Sequence, residues 1–111
     1  MLLILAFETE QLREICRSEV VAYSLLPPPV AQKLLRRIAD IRAATCILRI
    51  PVGNPKQVDG KPPGKVYIDV CDGYYLMFSA AHQKIPLNER GDVAWDEVSR
   101  IKLIDIGGLY D

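Results

Sequence analysis

Three lysines and two tyrosines near the middle of the chain carry side chains that bind phosphate and stack on flat rings. Lys56, Lys61 and Lys65 lie in a segment dense in glycine and proline. Tyr67 and Tyr75 follow in two runs of apolar residues. An ammonium group binds an anionic oxygen, and a glycine-rich loop can bring backbone N–H groups to the same anion. The segment therefore predicts an anion-binding loop, with solvated surface charge as the alternative.

The sequence offers neither a set of metal ligands nor a nucleotide phosphate-binding loop. The segment lacks the GxxxxGK[ST] pattern of phosphate-binding loops. The three cysteines, Cys16, Cys46 and Cys71, are widely spaced, and His82 is the single histidine. We expect buried free thiols, no bound metal and no cofactor. His82 is expected to be an ordinary surface side chain rather than a proton shuttle.

Charge is unevenly distributed although the formal net charge is zero. Residues 30–65 carry eight basic and two acidic side chains, whereas residues 66–111 carry four basic and eight acidic ones. A basic segment is a candidate contact for phosphate. Within it, Lys33, Arg36 and Arg37 share one helix face by their spacing, and a solvated face is the favoured interpretation for them.

Residues 65–78 predict a β-hairpin around Asp72-Gly73. A three-residue loop with a left-handed Gly73 makes one face apolar through the pairs Val66–Phe78, Ile68–Leu76 and Val70–Tyr74. The opposite face then carries Tyr67, Asp69, Tyr75 and Met77. We expect any functional surface of the sheet on that second face.

Two helices are predicted upstream of the hairpin. Residues 2–7 are apolar and predict a buried strand, and Thr9 then provides an N-cap for the first helix. Apolar residues at helical spacing continue this helix to the prolines at 27–29. The second helix is predicted over residues 29–45, which makes the pair a helical hairpin.

The remaining chain predicts turns and strands. A turn-rich connector contains a short strand at residues 56–58, and a polar excursion over residues 80–99 is expected to be held to the sheet by Trp95. A last strand over residues 100–106 alternates, with Ile101, Leu103 and Asp105 expected on one face.

These elements predict an α+β fold and a single domain over residues 1–111. The expected order is an N-terminal strand, a two-helix hairpin and an antiparallel meander of three or four strands, with the helices on one face of the sheet. The apolar N-terminus is too short and lacks the flanks of a targeting signal, and we expect a cytoplasmic protein without a membrane segment.

Five segments, in this order, carry a resemblance to a known family: FETEQLREIC at 7–16, LLRRIADIRAA at 34–44, IPVGNPKQVDGKPPGKVYIDV at 50–70, YYLMF at 74–78 and IKLIDIG at 101–107. Together they resemble the RelE/ParE superfamily of bacterial toxins, in its HigB-like killer-protein branch. The likeness covers nearly the whole chain. No single motif is diagnostic, and the succession of segments carries the resemblance.

The resemblance implies a RelE-like fold and the toxin of a type II toxin–antitoxin system. Such a toxin is a ribosome-dependent mRNA endonuclease, or mRNA interferase, that cuts through the 2′-hydroxyl of the RNA without a metal or cofactor. The implied partners are a cognate HigA-like antitoxin, the ribosome and mRNA, with a homodimer or a heterotetramer with antitoxin as the expected assemblies. The catalytic candidates are Lys61, Lys65, Tyr75 and Tyr110. The RNA-binding candidates are Lys56, Lys61, Lys65, Tyr67, Arg36 and Arg37.

The chain departs from the family pattern at two candidate positions. Tyr75 stands where the family has the arginine of W/Y-R-[LI]-x-F, and Tyr110 stands about where the closing histidine would be. Tyrosine stacks on a base or donates a hydrogen bond, but it does not clamp a phosphate as a guanidinium does. The alternatives are therefore a catalytically impaired relative that retains antitoxin binding, and a small RNA-binding domain unrelated to toxins.

Overall fold

A five-stranded sheet is the frame of the protein, which a computed structural model describes over residues 1–109. In chain order the strands are β1 (Ile4–Phe7), β2 (Lys56–Asp59), β3 (Lys65–Cys71), β4 (Tyr74–Ala80) and β5 (Arg100–Gly107). Across the sheet the order is β1-β5-β4-β3-β2, with β1 parallel to β5 and the other neighbours antiparallel. The predicted α+β class and the antiparallel meander are confirmed.

Residues 8–55 form three α-helices rather than the predicted two: α1 (Glu10–Arg17), α2 (Glu19–Leu25) and α3 (Pro28–Arg42). The predicted first helix is divided at Ser18, whose backbone is extended at φ −126° and ψ 119°. The Ser18 hydroxyl accepts a hydrogen bond from the Val21 N–H at 3.3 Å and so caps α2. The prediction missed the break because the apolar spacing continues across it.

The apolar core lies between the helices and one face of the sheet. α3 packs against β3, and α1 packs against β1 and β5. The hairpin contributes the fully buried side chains of Val66, Ile68, Leu76 and Phe78. From α3, the core receives Val30, Ala31, Leu34, Ile38 and Ile41. The predicted apolar face of the hairpin is therefore the core face.

The hairpin turn differs from the prediction by one pairing. The pairs Val66–Phe78 and Ile68–Leu76 form as predicted, but Tyr74 pairs with Cys71 and not with Val70. The loop consists of Asp72 and Gly73, with φ of 53° and 83°, as in a type I′ turn. A bulge between Asp69 and Cys71 accommodates the additional residue. The alternation upstream of the bulge is consequently unchanged.

The predicted faces of β5 are wrong at its C-terminal end. Ile101 and Leu103 are buried as predicted, but Asp105 is exposed and Ile106 is buried. The β4–β5 register shifts at a bulge, which leaves Ile104 without a cross-strand partner. Because side chains alternate along a strand, one unmatched residue moves the following ones to the other face.

Two side chains hold the excursion that precedes β5. Trp95 is buried, with 4% of its surface exposed, and belongs to the core cluster. His82, expected to be a surface residue, is half-buried, and its Nε2 accepts hydrogen bonds from the Ser99 N–H at 2.9 Å and the Arg100 N–H at 3.2 Å. These contacts join the start of the excursion to its end.

The turn between β2 and β3 depends on a glycine that contacts Trp95. Gly64 has φ +77°, and a Cβ there would lie 2.6 Å from Trp95 Cζ2 and 2.9 Å from Val93 Cγ2. We expect Gly64→Ala to lower the free energy of unfolding by about 2–4 kcal/mol, from left-handed backbone strain and overpacking. Gly73→Ala is the matched control, because Gly73 has φ +83° and no atom within 4 Å of the added Cβ. Urea unfolding followed by tryptophan fluorescence measures both, and equal losses would contradict the packing argument.

Candidate nucleic-acid interface

The face of the sheet opposite the core carries three rows of side chains, which we call the open face. Residues paired across neighbouring strands lie on the same side of a sheet, so the register determines which side chains are neighbours. One row contains Asp59, Lys65, Ser79 and Lys102. The next contains Lys56, Tyr67, Met77 and Asp105. The third contains Asp69, Tyr75 and Gly107.

Two tyrosines meet at the centre of the open face. The ring centroids of Tyr67 and Tyr75 are 4.8 Å apart, and the ring planes are tilted by 40°. Tyr75 pairs with Gly107 of β5, where an added Cβ would overlap the tyrosine ring. A glycine at this position therefore allows the ring to lie against the strand. Both tyrosines are half-buried, so part of each residue is accessible to solvent.

Two exposed lysines lie beside the tyrosine pair. Lys56 is the cross-strand partner of Tyr67, and Lys65 precedes Tyr67 by two residues on the same face, about 6.6 Å along the strand. Within residues 1–109, neither ammonium group forms an ion pair. An anion can therefore bind at either lysine without displacing a carboxylate of the described residues.

A third cation on this face was not selected from the sequence. Lys102 of β5 lies opposite Ser79, and its Nζ is 2.7 Å from Glu8 Oε2. Its position could have been found, because it lies between the core residues Ile101 and Leu103 in an alternating strand. Lys65 and Lys102 line a groove of about 380 Å³ whose other lining residues are Glu8, Asp59, Pro63, Gly64, Ser79 and Ile104.

Lys61 lies in the turn between β2 and β3, next to the excursion. Its Nζ is 3.5 Å from Asp92 Oδ1, and its backbone N–H donates to Asp59 Oδ1 at 3.0 Å. The lysine side chain is 77% exposed, so this ion pair is a weak one. The structure thus brings Lys56 and Lys65 together with the tyrosines, and directs Lys61 towards Asp92.

The two predicted arginines lie on α3, in the helical layer. Arg37 Nε donates to the backbone carbonyl of Asp69 at 3.2 Å, and its Nη1 lies 3.6 Å from Asp40 Oδ2. Only 13% of the Arg37 side chain is exposed, so it connects α3 to β3. Arg36 lines a cleft beside the hairpin turn with Lys33 and Cys71. The structure does not bring either arginine to the open face.

Tyr110, a catalytic candidate, lies outside the described residues. Across residues 1–109, no group of three or more histidine, cysteine, aspartate or glutamate side chains is arranged to hold a metal ion. No helix in that range has the length and apolar character needed to cross a membrane.

Comparisons of the chain with protein-family models, with curated proteins and with solved structures gave no match. The resemblance to the RelE/ParE superfamily therefore stays a prediction from the sequence. The geometry of the open face does not depend on this resemblance. On that face, two ammonium groups without an ion pair in residues 1–109 lie beside an aromatic pair.

The cysteines are free thiols, and Cys16 and Cys46 are buried as expected, whereas Cys71 is half-buried and the expectation was wrong there. Burial raises the pKa of the Cys16 thiol from an ordinary value of 9.0 to about 12, against the opposing effect of the nearby Arg42 guanidinium. This thiol stays protonated at neutral pH and is a poor nucleophile. Cys16 is therefore a core side chain and not a catalytic candidate.

The raised pKa of Cys16 predicts a loss of stability at alkaline pH. The thiol ionises in the unfolded chain from about pH 9 but in the folded chain only near 12, so the unfolded state binds fewer protons in that window. The free energy of unfolding should fall by up to about 1.4 kcal/mol per pH unit from this group. Urea unfolding across the window, compared between the wild type and Cys16→Ala, isolates the effect. An unchanged slope in Cys16→Ala would refute the assignment.

Proposed function

We propose that this chain is an RNA-cleaving toxin of the RelE/ParE kind, which acts on mRNA at the ribosome and is neutralised by a small antitoxin. The open face is the observation that carries the proposal, because Lys56 and Lys65 flank the Tyr67–Tyr75 pair without carboxylate partners in residues 1–109. The sequence resemblance supplies the reaction class. The order of one strand, a helical segment and an antiparallel meander agrees with the fold expected from it.

The chemistry of an unpaired RNA strand suits this surface. Phosphates bind to Lys56 and Lys65, while a base stacks on the aromatic surface of Tyr67. Such stacking is possible for every base, so this mode reads single-stranded RNA with little sequence preference. The ribosome and the codon in its decoding site would then supply the selectivity.

The proposed reaction uses the RNA as its own nucleophile. The 2′-hydroxyl gives up its proton to water as its oxygen attacks the adjacent phosphorus and forms a 2′,3′-cyclic phosphate. The bond from phosphorus to the 5′-oxygen breaks, and that leaving oxygen takes up a proton. The Lys65 ammonium, with Lys61 as a second candidate, stabilises the negative charge that develops on the phosphate. Tyr75 and Tyr110 are the candidates for proton transfer.

RNA binding should depend on the open-face lysines. We expect Lys56→Gln with Lys65→Gln to weaken binding of an unstructured RNA oligonucleotide by about tenfold, and to reduce the slope of log affinity against log salt by about 1.4. Fluorescence anisotropy at several salt concentrations measures both quantities. Lys84→Gln with Arg90→Gln is the control, because it removes the same charge from exposed positions in the excursion. Equal losses in both double variants would leave the open face without a specific role.

Cleavage should depend on the Tyr75 hydroxyl. Tyr75→Phe keeps the ring against Gly107 and removes the hydroxyl, so we expect RNA binding to persist and cleavage on translating ribosomes to fall by about a hundredfold. Mapping of mRNA ends in a bacterial translation extract gives the rate. Wild-type cleavage by this variant would exclude the hydroxyl from proton transfer.

A binding module that has lost cleavage is the second candidate, and the identity of residue 75 favours it. A tyrosine lacks the fixed positive charge that the family's arginine would supply at this point. Expression in a bacterial host separates the candidates. Growth arrest that the neighbouring small gene relieves supports the toxin, whereas harmless expression with retained binding to that gene's product supports the module.

A further inference from the structure

The free edge of β1 is a second surface of different chemistry. β1 ends the sheet and pairs only with β5 among the described strands. The backbone N–H groups of Ile4 and Glu8 donate towards the β5 side at 2.8 and 2.9 Å. In a parallel pair, alternate residues direct both backbone groups to the same neighbour. The N–H and C=O groups of Leu5 and Phe7 therefore point away from the sheet.

This unpaired edge has defined limits. The Leu3 N–H donates to the Ala44 carbonyl at 2.9 Å, and the Glu8 N–H donates to the Leu103 carbonyl. Between these points, the backbone groups of Leu5 and Phe7 have no hydrogen-bond partner in the described part of the chain. An edge of this kind is a template for another extended segment unless it is covered.

Three arginines converge on the same edge. Arg13 and Arg17 of α1 and Arg42 of α3 line, with residues 5–7, a groove of about 320 Å³. The Arg13 guanidinium carbon lies 5.9 Å from the centroid of the Phe7 ring, and its Nε is 3.9 Å from Glu10, near the limit of an ion pair. Arg17 and Arg42 form no ion pair within residues 1–109.

The two features together identify the occupant. A second copy paired at this edge would bring two sets of guanidinium groups together, which is unfavourable. RNA would satisfy the arginines but does not supply N–H and C=O groups at the spacing of a strand. An extended acidic peptide supplies both.

We propose that the β1 edge binds an extended acidic segment of a partner protein as an additional strand. Acidic side chains at alternate positions face the helical layer and bind Arg13, Arg17 and Arg42. The intervening side chains lie beside Ile4 and Ala6, where small β-branched residues suit the surface. The proposal is independent of any action on RNA, because it uses a different face and a different set of cations.

A blocked peptide in which glutamate alternates with valine is the probe, titrated into the full chain by calorimetry and by amide NMR. We expect the Leu5 and Phe7 amide signals to shift on binding. N-methylation at the peptide positions that face β1 should abolish binding, and methylation shifted by one residue should preserve it. This contrast separates strand addition from general charge attraction without altering the protein.

Arg17→Gln with Arg42→Gln should weaken peptide binding by about tenfold. The control, Lys33→Gln with Lys84→Gln, removes the same charge from exposed positions elsewhere and should bind as the wild type does. Binding indifferent to the position of N-methylation would overturn the proposal. So would loss of RNA binding alone in the arginine variant, or a dimer in sedimentation that occupies the β1 edge.

Discussion

The backbone of Asp69 is the point on which the arrangement of the two layers depends. β2 pairs with β3 only as far as Tyr67, so beyond that residue the edge of β3 is uncovered. The Asp69 N–H donates to the Gly53 carbonyl at 2.7 Å, and its C=O accepts from Arg37 Nε at 3.2 Å. The connector and α3 thus complete the edge that β2 leaves open, and both backbone groups of Asp69 have hydrogen-bond partners.

These contacts at the edge of β3 determine which face of the sheet can bind a ligand. Gly53 is left-handed at φ +76°, and a Cβ there would collide with Ile68 and approach Arg37, so the connector can lie this close to β3 only at glycine. With α3 held against one face, the opposite face stays available for Lys56, Lys65 and the tyrosines. Arg37, which binds the Asp69 carbonyl, consequently holds α3 against the edge of β3.

The molecule therefore has two separate cationic surfaces. On the open face, lysines beside aromatic rings suit a flexible polyanion with stacking bases. At the β1 edge, arginines beside unpaired backbone groups suit an extended polypeptide with carboxylates. The open face also carries acidic side chains, among them Asp59, Asp69 and Asp105, so the attraction for a phosphate is local to Lys56 and Lys65.

Local sequence determined the α+β class and the faces of the hairpin strands β3 and β4, because period-two alternation of large apolar residues leaves one way to bury them. It also placed Tyr67 and Tyr75 on the face away from the core. It did not determine the burial of β1, which was predicted to be buried and has exposed and half-buried residues. The break at Ser18 has a local cap, which the continuous apolar spacing conceals. Tertiary structure alone decided the bulge that turns Ile106 inward and the commitment of Arg37 to Asp69. The contact of Arg37 joins residues distant in sequence, and the bulge results from a single residue without a cross-strand neighbour. Neither cause leaves a periodic signal in the chain.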